Sequence, residues 1–240
     1  MVRVAFVMGD YPGGEVDRRA NVALSYSTAE VEVGIVRAPV TPYFHGMSPT
    51  EMTLVAPDVI AAFFKAQQEG YDACVPLGFL DLGVQGGRSA VDIPVLGPMQ
   101  SALHIASLLG DRFGLIAYHE NQFANLEGLV RGYGMLDKVV GFGDSGFDLP
   151  DIAANHDAMV ETFVKSARKL VRERRAEVII PTGVSQCPVH MDPKWLAAEI
   201  GVPVVEGIGA PIKLAGMMAQ LGLKHSRLRY PKSPVYAAKQ

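Results

Sequence analysis

A pattern that occurs twice in the chain limits the possible folds more than any other sequence feature. Residues 71–78 and 176–183 each form an apolar run that ends in Pro-x-Gly, at Gly78 and at Gly183. Two further pairs recur in the same order and at nearly the same offset: residues 93–96 with 202–205, and residues 3–7 with 112–116. Repetition of several segments in register predicts a duplicated lobe.

Short runs rich in β-branched residues alternate with helical patterns along the chain. We predict strands at residues 3–8, 31–36, 73–76, 113–117, 139–142, 178–180 and 202–205. Most are continuous apolar runs, which is typical of parallel strands covered on both faces. Ser48 and Glu51 form a capping box that predicts a helix running to Gly70, and an apolar stripe from Met159 to Leu170 predicts another. The alternation predicts an α/β fold with two pseudosymmetric Rossmann-like lobes built on parallel sheets.

The repeat also predicts where the lobes and the active site lie. The first lobe comprises residues 1–98 plus 208–240, and the second comprises residues 99–207. Because parallel α/β sheets bind ligands beyond the carboxyl ends of their strands, we expect the active site in the interlobe cleft, between Gly78 and Gly183. Each turn is expected to lead toward a helix N-terminus, whose free N–H groups attract an anion. The alternative is that both glycines only allow tight turns.

Composition and charge exclude several classes of function. The net charge is −3, and the densest basic stretch, residues 168–175, has the spacing of a solvent-exposed helix face, so we expect no nucleic-acid partner. No apolar stretch approaches the length of a membrane span, and the N-terminus runs directly into a strand without a signal peptide. The two cysteines fit free thiols in a reducing compartment, so we expect a cytoplasmic protein. Without a phosphate-binding glycine motif or metal-ligand spacing, we expect neither a cofactor nor a metal. The alternative is that His45, His119 and His190 converge with Asp10 or Glu206 on a metal ion.

Several segments resemble the aspartate/glutamate racemase superfamily, and most closely its hydantoin racemase branch. They are residues 71–83, 92–95, 102–110, 201–207 and 213–215. The resemblance implies two pseudosymmetric α/β lobes with the active site between them, and assembly into a homo-oligomer. It also implies two acid–base groups on opposite faces of a carbon next to a carbonyl or carboxylate. In the family these groups are usually cysteines at the end of each lobe's third strand; here the positions fall on Gly78 and Gly183, so we do not expect two-cysteine racemisation.

Two strand ends offer a replacement for the missing thiols. Asp10 and His119 follow the first strand of each lobe, where they could act as opposed base and acid. Residues 9–10 with 13–14 resemble the Asp-containing glycine turn of glutamate racemases, which implies that Asp10 assists catalysis. The alternative is that Asp10 caps a turn and His119 is a surface residue.

The loop after the second Pro-x-Gly turn offers another pair. Cys187 and His190 could form a thiolate–imidazole pair, or Cys187 could be a passive loop residue. Thr182 and Ser185 flank the turn and could hydrogen-bond a carboxylate, or they could cap a helix.

We expect residues at the glycine turns and nearby strand ends to bind the substrate. They are Tyr11, Tyr43, His45, Gly78, Phe79, Leu80, Thr182, Gly183, Val184, Ser185 and Glu206. Tyr43 and His45 belong to an aromatic loop that could line a pocket or form an interface. His104, among apolar residues of a helix, is predicted to be a core histidine.

Three functions are compatible with these features, and we rank them in the following order. The first is an isomerase or racemase that acts next to a carbonyl or carboxylate of a small carboxylate, hydantoin or amide by acid–base chemistry without cysteine. The second is a lyase or decarboxylase on the same scaffold. The third is a non-catalytic protein that binds a small anion.

Overall fold

Two parallel three-stranded sheets form the framework of the chain. The structure, a computed structural model, describes residues 1–11, 14–38 and 48–238. The first sheet has the order β2-β1-β3 and comprises β1 (Val2–Met8), β2 (Val31–Arg37) and β3 (Ala73–Pro76). The second has the order β5-β4-β6 and comprises β4 (Phe113–Ala117), β5 (Val139–Asp144) and β6 (Val178–Pro181). The same strand order in both sheets confirms the α/β class and the two lobes.

Helices cover the faces of both sheets. In chain order they are α1 (Glu15–Leu24), α2 (Pro49–Gln68), α3 (Val84–Ala90), α4 (Pro98–Ala106), α5 (Phe123–Gly132), α6 (His156–Arg174), α7 (Pro193–Ile200), α8 (Gly209–Gln220) and α9 (Pro234–Ala237). The capping box at the start of α2 is confirmed, because the Glu51 carboxylate accepts the Ser48 N–H at 2.9 Å. The apolar stripe of α6 is also confirmed, and Met159 and Leu170 lie buried on it.

The predicted strand at residues 202–205 is wrong as a strand. It forms one isolated bridge, between Ile179 and Val204. Residues 93–96, the matching segment of the first lobe, likewise form one bridge, between Cys74 and Val95. Pro203 has no N–H to donate and only accepts a hydrogen bond, from the Ile179 N–H at 3.0 Å. A ladder therefore cannot extend through either proline.

The two lobes share part of their core. One apolar cluster includes Phe6 of β1 and Leu115 of β4, together with Leu103 of α4 and Ile212 of α8. Helix α8 packs on β1 and β3, and it also packs against α4. The lobe boundaries drawn from the sequence stay a prediction. No helix of the described residues is long and apolar enough to cross a membrane.

Candidate active site

A cavity of about 130 Å³ lies at the carboxyl ends of the central strands, between the two lobes. The first lobe contributes Val7, Met8, Gly9, Tyr11, Arg19, Val55, Val59, Pro76, Leu77, Gly78, Phe79, Leu80 and Leu82. The second contributes Tyr118, Gln122, Leu126, Asp148, Leu149, Thr182 and Val184. The predicted substrate-binding residues Tyr11, Gly78 and Thr182 thus come together at one cavity.

The two glycine turns are not equivalent at this cavity. Gly78 has φ +104°, and a Cβ atom on it would meet nothing within 4 Å. At Gly183 a Cβ atom would lie 2.7 Å from Cζ of Tyr118 and 2.6 Å from Oε1 of Gln186. The phenol ring of Tyr118 therefore fills the space that a side chain at residue 183 would need.

Neither glycine turn leads directly into an α-helix, contrary to expectation. After Gly78 the chain turns again before α3 begins at Val84. After Gly183 residues 185–190 form a wide helical turn that is broken at Cys187, where φ is −144°. The backbone N–H groups of Gly78, Phe79 and Leu80 donate none of the hydrogen bonds between described residues, so they remain available to a bound ligand.

A buried polar cluster joins α1 of the first lobe to the 185–190 turn of the second. The Glu15 carboxylate accepts hydrogen bonds from Ser185 Oγ, from His190 Nε2 at 2.8 Å and from an Arg18 guanidinium nitrogen at 2.9 Å. The Arg19 Nε donates to Ser185 Oγ at 2.9 Å. Burial alone would raise the pKa of Glu15, but the hydrogen bonds from His190 and Ser185, together with the charges of His190 and Arg19, outweigh burial and lower the pKa. The carboxylate is thus held in its charged form, and it ties the two lobes together.

The predicted pair of Asp10 and His119 is not assembled at the cavity. The Asp10 side chain is 92% exposed, and its carboxylate lies 3.6 Å from an Arg37 guanidinium nitrogen. His119 Nε2 lies 3.4 Å from Oδ1 of Asp148, which lines the cavity although His119 itself does not. Asp148, rather than Asp10, is the carboxylate that accompanies His119.

Cys187 is buried within the apolar core of the second lobe and does not line the cavity. Its burial, reinforced by the charges of Glu206 and Asp192, raises the pKa of the thiol well above its ordinary value. The thiolate needed for the predicted pairing with His190 is therefore disfavoured, and His190 binds Glu15 instead.

Glu206 caps a helix rather than facing the cavity. Its carboxylate accepts the N–H groups of Ile208 at 2.6 Å and Gly209 at 2.7 Å, at the start of α8, and the hydroxyl of Tyr26 at 3.1 Å. Burial raises the pKa of Glu206 against the effect of these hydrogen bonds. Because the donors are positioned by the helix terminus, Glu206 has a structural role.

A related cap lies in the other lobe. The Asp81 carboxylate accepts the N–H groups of Met99 at 2.8 Å and Gln100 at 3.1 Å, in the first turn of α4, and the hydroxyl of Tyr133 at 2.6 Å. Burial raises the pKa of Asp81 to about 6. Asp81 lies between the cavity-lining residues Leu80 and Leu82, so this cap supports the cavity wall.

The remaining predicted site residues are placed as follows. Phe79, Leu80 and Val184 line the cavity. Tyr43 and His45 lie outside the described residues. The prediction of a core histidine at position 104 is wrong, because His104 is exposed on α4. Within the described ranges, no three His, Cys, Asp or Glu side chains converge as metal ligands would.

Sequence reasoning missed four of the polar residues that line the cavity, Arg19, Tyr118, Gln122 and Asp148. Tyr118 directly precedes the chosen His119 at a strand end, so the strand-end rule could have found it. Arg19 carried no such signal, because a charged residue in a polar helix is normally solvent-exposed.

Comparison with known proteins is consistent with this architecture. Residues 26–215 match the model of the family described as Asp/Glu/Hydantoin racemase. A hydantoin racemase from Pseudomonas sp. (strain NS671) is 32% identical over 181 residues, which cover 75% of this chain and 72% of the relative.

Solved structures share the fold at lower sequence identity. An allantoin racemase from Klebsiella pneumoniae superposes with a TM-score of 0.87 at 18% identity, covering 97% of this chain and 95% of that one. An unliganded arylmalonate decarboxylase superposes with a TM-score of 0.64 at 14% identity, covering 91% and 93%. From the family match and the 32% identical relative, the chain belongs to the Asp/Glu/hydantoin racemase family.

Proposed function

We propose that this protein is an isomerase that moves a proton at a carbon next to a carbonyl or carboxylate of a small carboxylate, hydantoin or amide. The observation that carries the proposal is the interlobe cavity, which both lobes line at their strand ends and which no cysteine of the described residues lines. A base removes the proton and leaves its electron pair as an enolate; an acid then returns a proton to the same carbon. The similarity to hydantoin and allantoin racemases supports this class of chemistry.

Tyr118 is the proposed acid. Its ring occupies the space beside Gly183, where the family resemblance places a thiol. The Tyr118 hydroxyl oxygen accepts the Ser185 N–H at 3.2 Å, which leaves the hydroxyl proton available to the substrate. Burial raises the pKa of Tyr118, so the hydroxyl stays protonated and serves as a donor.

The Asp148–His119 pair is the proposed base. Asp148 lines the cavity, and its Oδ1 atom lies 3.4 Å from His119 Nε2. The turn amides of Gly78, Phe79 and Leu80 are proposed to bind the enolate oxygen, because preorganised N–H donors stabilise charge that develops in a reaction.

Deuterium exchange tests the proposal. The protein is incubated in D2O with hydantoins, allantoin or small carboxylates, and proton NMR measures the loss of the substrate's α-proton. Tyr118→Phe should slow exchange by about a hundredfold, the lower range for a general acid. Tyr230→Phe, which removes a hydroxyl from the C-terminal segment, is the matched control and should exchange at the wild-type rate. Undiminished exchange in Tyr118→Phe would refute the acid, and absence of exchange across the panel would refute the isomerase.

Variants of the carboxylates separate the two candidate bases. Asp148→Asn should abolish exchange, whereas Asp10→Asn should not, because Asp10 lies outside the cavity. The reverse result would restore the pair of Asp10 and His119 that the sequence suggested.

Decarboxylation is a second candidate, favoured by the asymmetry of the glycine turns. The space next to the Gly78 Cα is open, whereas next to Gly183 the ring of Tyr118 fills the space and supplies a proton donor. One donor is enough when the bond to a carboxylate breaks, CO2 leaves, and the electron pair stays on carbon to take up the proton. Release of CO2 from a substituted malonate would indicate this reaction; binding with neither CO2 release nor exchange would indicate a non-catalytic anion-binding protein.

Cellular location and assembly are proposed from the sequence and the family resemblance. We propose a cytoplasmic homo-oligomer, which is consistent with the two buried free thiols. Light scattering after gel filtration measures the assembly, and a monomer at all concentrations would contradict it.

A further inference from the structure

The most unusual group in the cavity wall is the buried guanidinium of Arg19. The residue is 3% exposed, yet it lines the cavity. Its Nε donates to Ser185 Oγ at 2.9 Å, and its Cζ lies 4.0 Å from the centroid of the Tyr11 ring. These two contacts fix the plane of the guanidinium.

The two terminal nitrogens of Arg19 have no hydrogen-bond acceptor among the residues that the structure describes. None of the hydrogen bonds between described residues engages them, although Nε is satisfied. Buried arginine donors are normally paired, and an unpaired buried guanidinium is costly. A planar guanidinium whose terminal nitrogens are free to donate matches a carboxylate, which accepts two parallel N–H···O hydrogen bonds.

The surrounding charges do not neutralise Arg19. The nearest carboxylate, Glu15, lies 3.8 Å from Nε, but it also binds Arg18 at 2.9 Å and His190 at 2.8 Å. One carboxylate is therefore shared by two guanidinium groups and an imidazole. Glu15 therefore does not neutralise Arg19 alone, which favours an anionic ligand at the Arg19 guanidinium.

Much of the remaining cavity wall is apolar. It includes side chains from both lobes: Val55, Val59, Leu82, Leu126, Leu149 and Val184. The volume of about 130 Å³ is close to that of apolar protein cavities of about 150 Å³ that bind benzene. The cavity thus has room for one small apolar group and excludes a bulky one.

We infer that Arg19 binds the carboxylate of a monoanionic substrate whose other end is a small apolar group of about the size of a benzene ring. The inference rests on the proposed function and restricts its substrates: of the carboxylates, hydantoins and amides proposed above, it selects the carboxylates. Glu15 and Ser185 act as positioning residues, because they hold α1 and the Arg19 side chain against the second lobe.

Calorimetric titration with phenylacetate and with its neutral isostere phenylacetamide tests the inference. The wild-type protein should bind phenylacetate about tenfold or more tightly than phenylacetamide, the usual effect of a charge-assisted hydrogen bond. Equal binding, or tighter binding of the amide, by the wild-type protein would overturn the inference without any variant.

Two variants and a control assign the preference to Arg19. Arg19→Gln should bind the acid and the amide equally, and Arg19→Lys should keep a reduced preference, since lysine retains the charge but not the fork. Arg131→Gln removes the same charge from an exposed position on α5 and should behave as wild type. Circular dichroism shows whether each variant folds; a folded Arg19→Gln protein with the full preference would overturn the inference.

The outcome is separable from that of the proposed function. Arg19-dependent binding of phenylacetate without α-proton exchange of any substrate would retain this inference and refute the isomerase. Exchange of neutral hydantoins with no preference for the acid would retain the isomerase and refute the inference.

Discussion

Replacing Asp81 by asparagine should remove a distinct pH dependence from the free energy of unfolding. Burial raises the pKa of Asp81 to about 6 from an ordinary value of 3.8. At about 1.4 kcal/mol per pKa unit, this difference contributes about 3 kcal/mol to the free energy of unfolding when Asp81 is protonated. Because the folded state holds the proton more tightly, this stabilisation is complete below pH 3.8 and is lost as the pH rises through about 6.

Most of the change falls in an accessible pH range. Between about pH 4.5 and about pH 7.5 the free energy of unfolding of the wild-type protein should fall by about 2 kcal/mol relative to that of Asp81→Asn, because asparagine does not titrate. The charge of Arg88 and the hydrogen bonds from Tyr133, Met99 and Gln100 all favour the ionised form, but burial outweighs them. Loss of the proton should therefore weaken the packing beside Leu80 and Leu82 at the cavity wall.

Urea unfolding followed by circular dichroism at several pH values measures the effect. Asp137→Asn removes an exposed carboxylate from the same lobe as Tyr133 and should keep the wild-type pH dependence. If the free energies of unfolding of wild type and Asp81→Asn change in parallel across this pH range, burial does not raise the pKa of Asp81 and the reasoning is refuted.

Three further predictions concern packing and reactivity. Gly183→Ala should destabilise the fold by about 1–3 kcal/mol through overpacking, whereas Gly128→Ala, in a helix with open space around it, should be neutral or stabilising by up to about 1 kcal/mol; equal urea midpoints would contradict this. Glu206→Ala should cost about 1–3 kcal/mol, because it leaves the buried start of α8 uncapped; an unchanged midpoint would argue against the cap. Cys74 and Cys187 should resist iodoacetamide in the native state and react only after unfolding, because both are buried; rapid native labelling, read by mass spectrometry, would show otherwise.

Much of the fold was predictable because its signals are local. Continuous apolar runs predicted six strands of the two sheets within two residues at each end, and the capping box at Ser48 placed the start of α2. The segment at residues 202–205 was misjudged, since its apolar residues suit a strand while Pro203 prevents a ladder. The repeat predicted the position of the cavity, because parallel sheets bind ligands beyond the carboxyl ends of their strands and both repeated turns lie at such ends.

The site residues were predictable only in part. Gly78, Phe79, Leu80, Thr182 and Val184 lie in the two repeated turns or directly after them, and all five line the cavity, whereas Gly183 does not. Asp10 and Cys187 were chosen for their chemistry, yet one lies at the surface and the other inside the core of the second lobe. Residue type alone does not reveal which way a side chain points after a strand ends.

The sequence by itself determined the fold class, the duplication and the position of the cleft at the carboxyl ends of the strands. Strand, turn and capping preferences depend on neighbouring residues in the chain. Only the tertiary structure decided that Arg19 is buried with open donors, that Tyr118 fills the space beside Gly183, and that His190 binds Glu15. Each of these depends on contacts between residues distant in the chain, which form only when the lobes pack. Burial then sets the charge state and exposure of each group, and with them its chemistry.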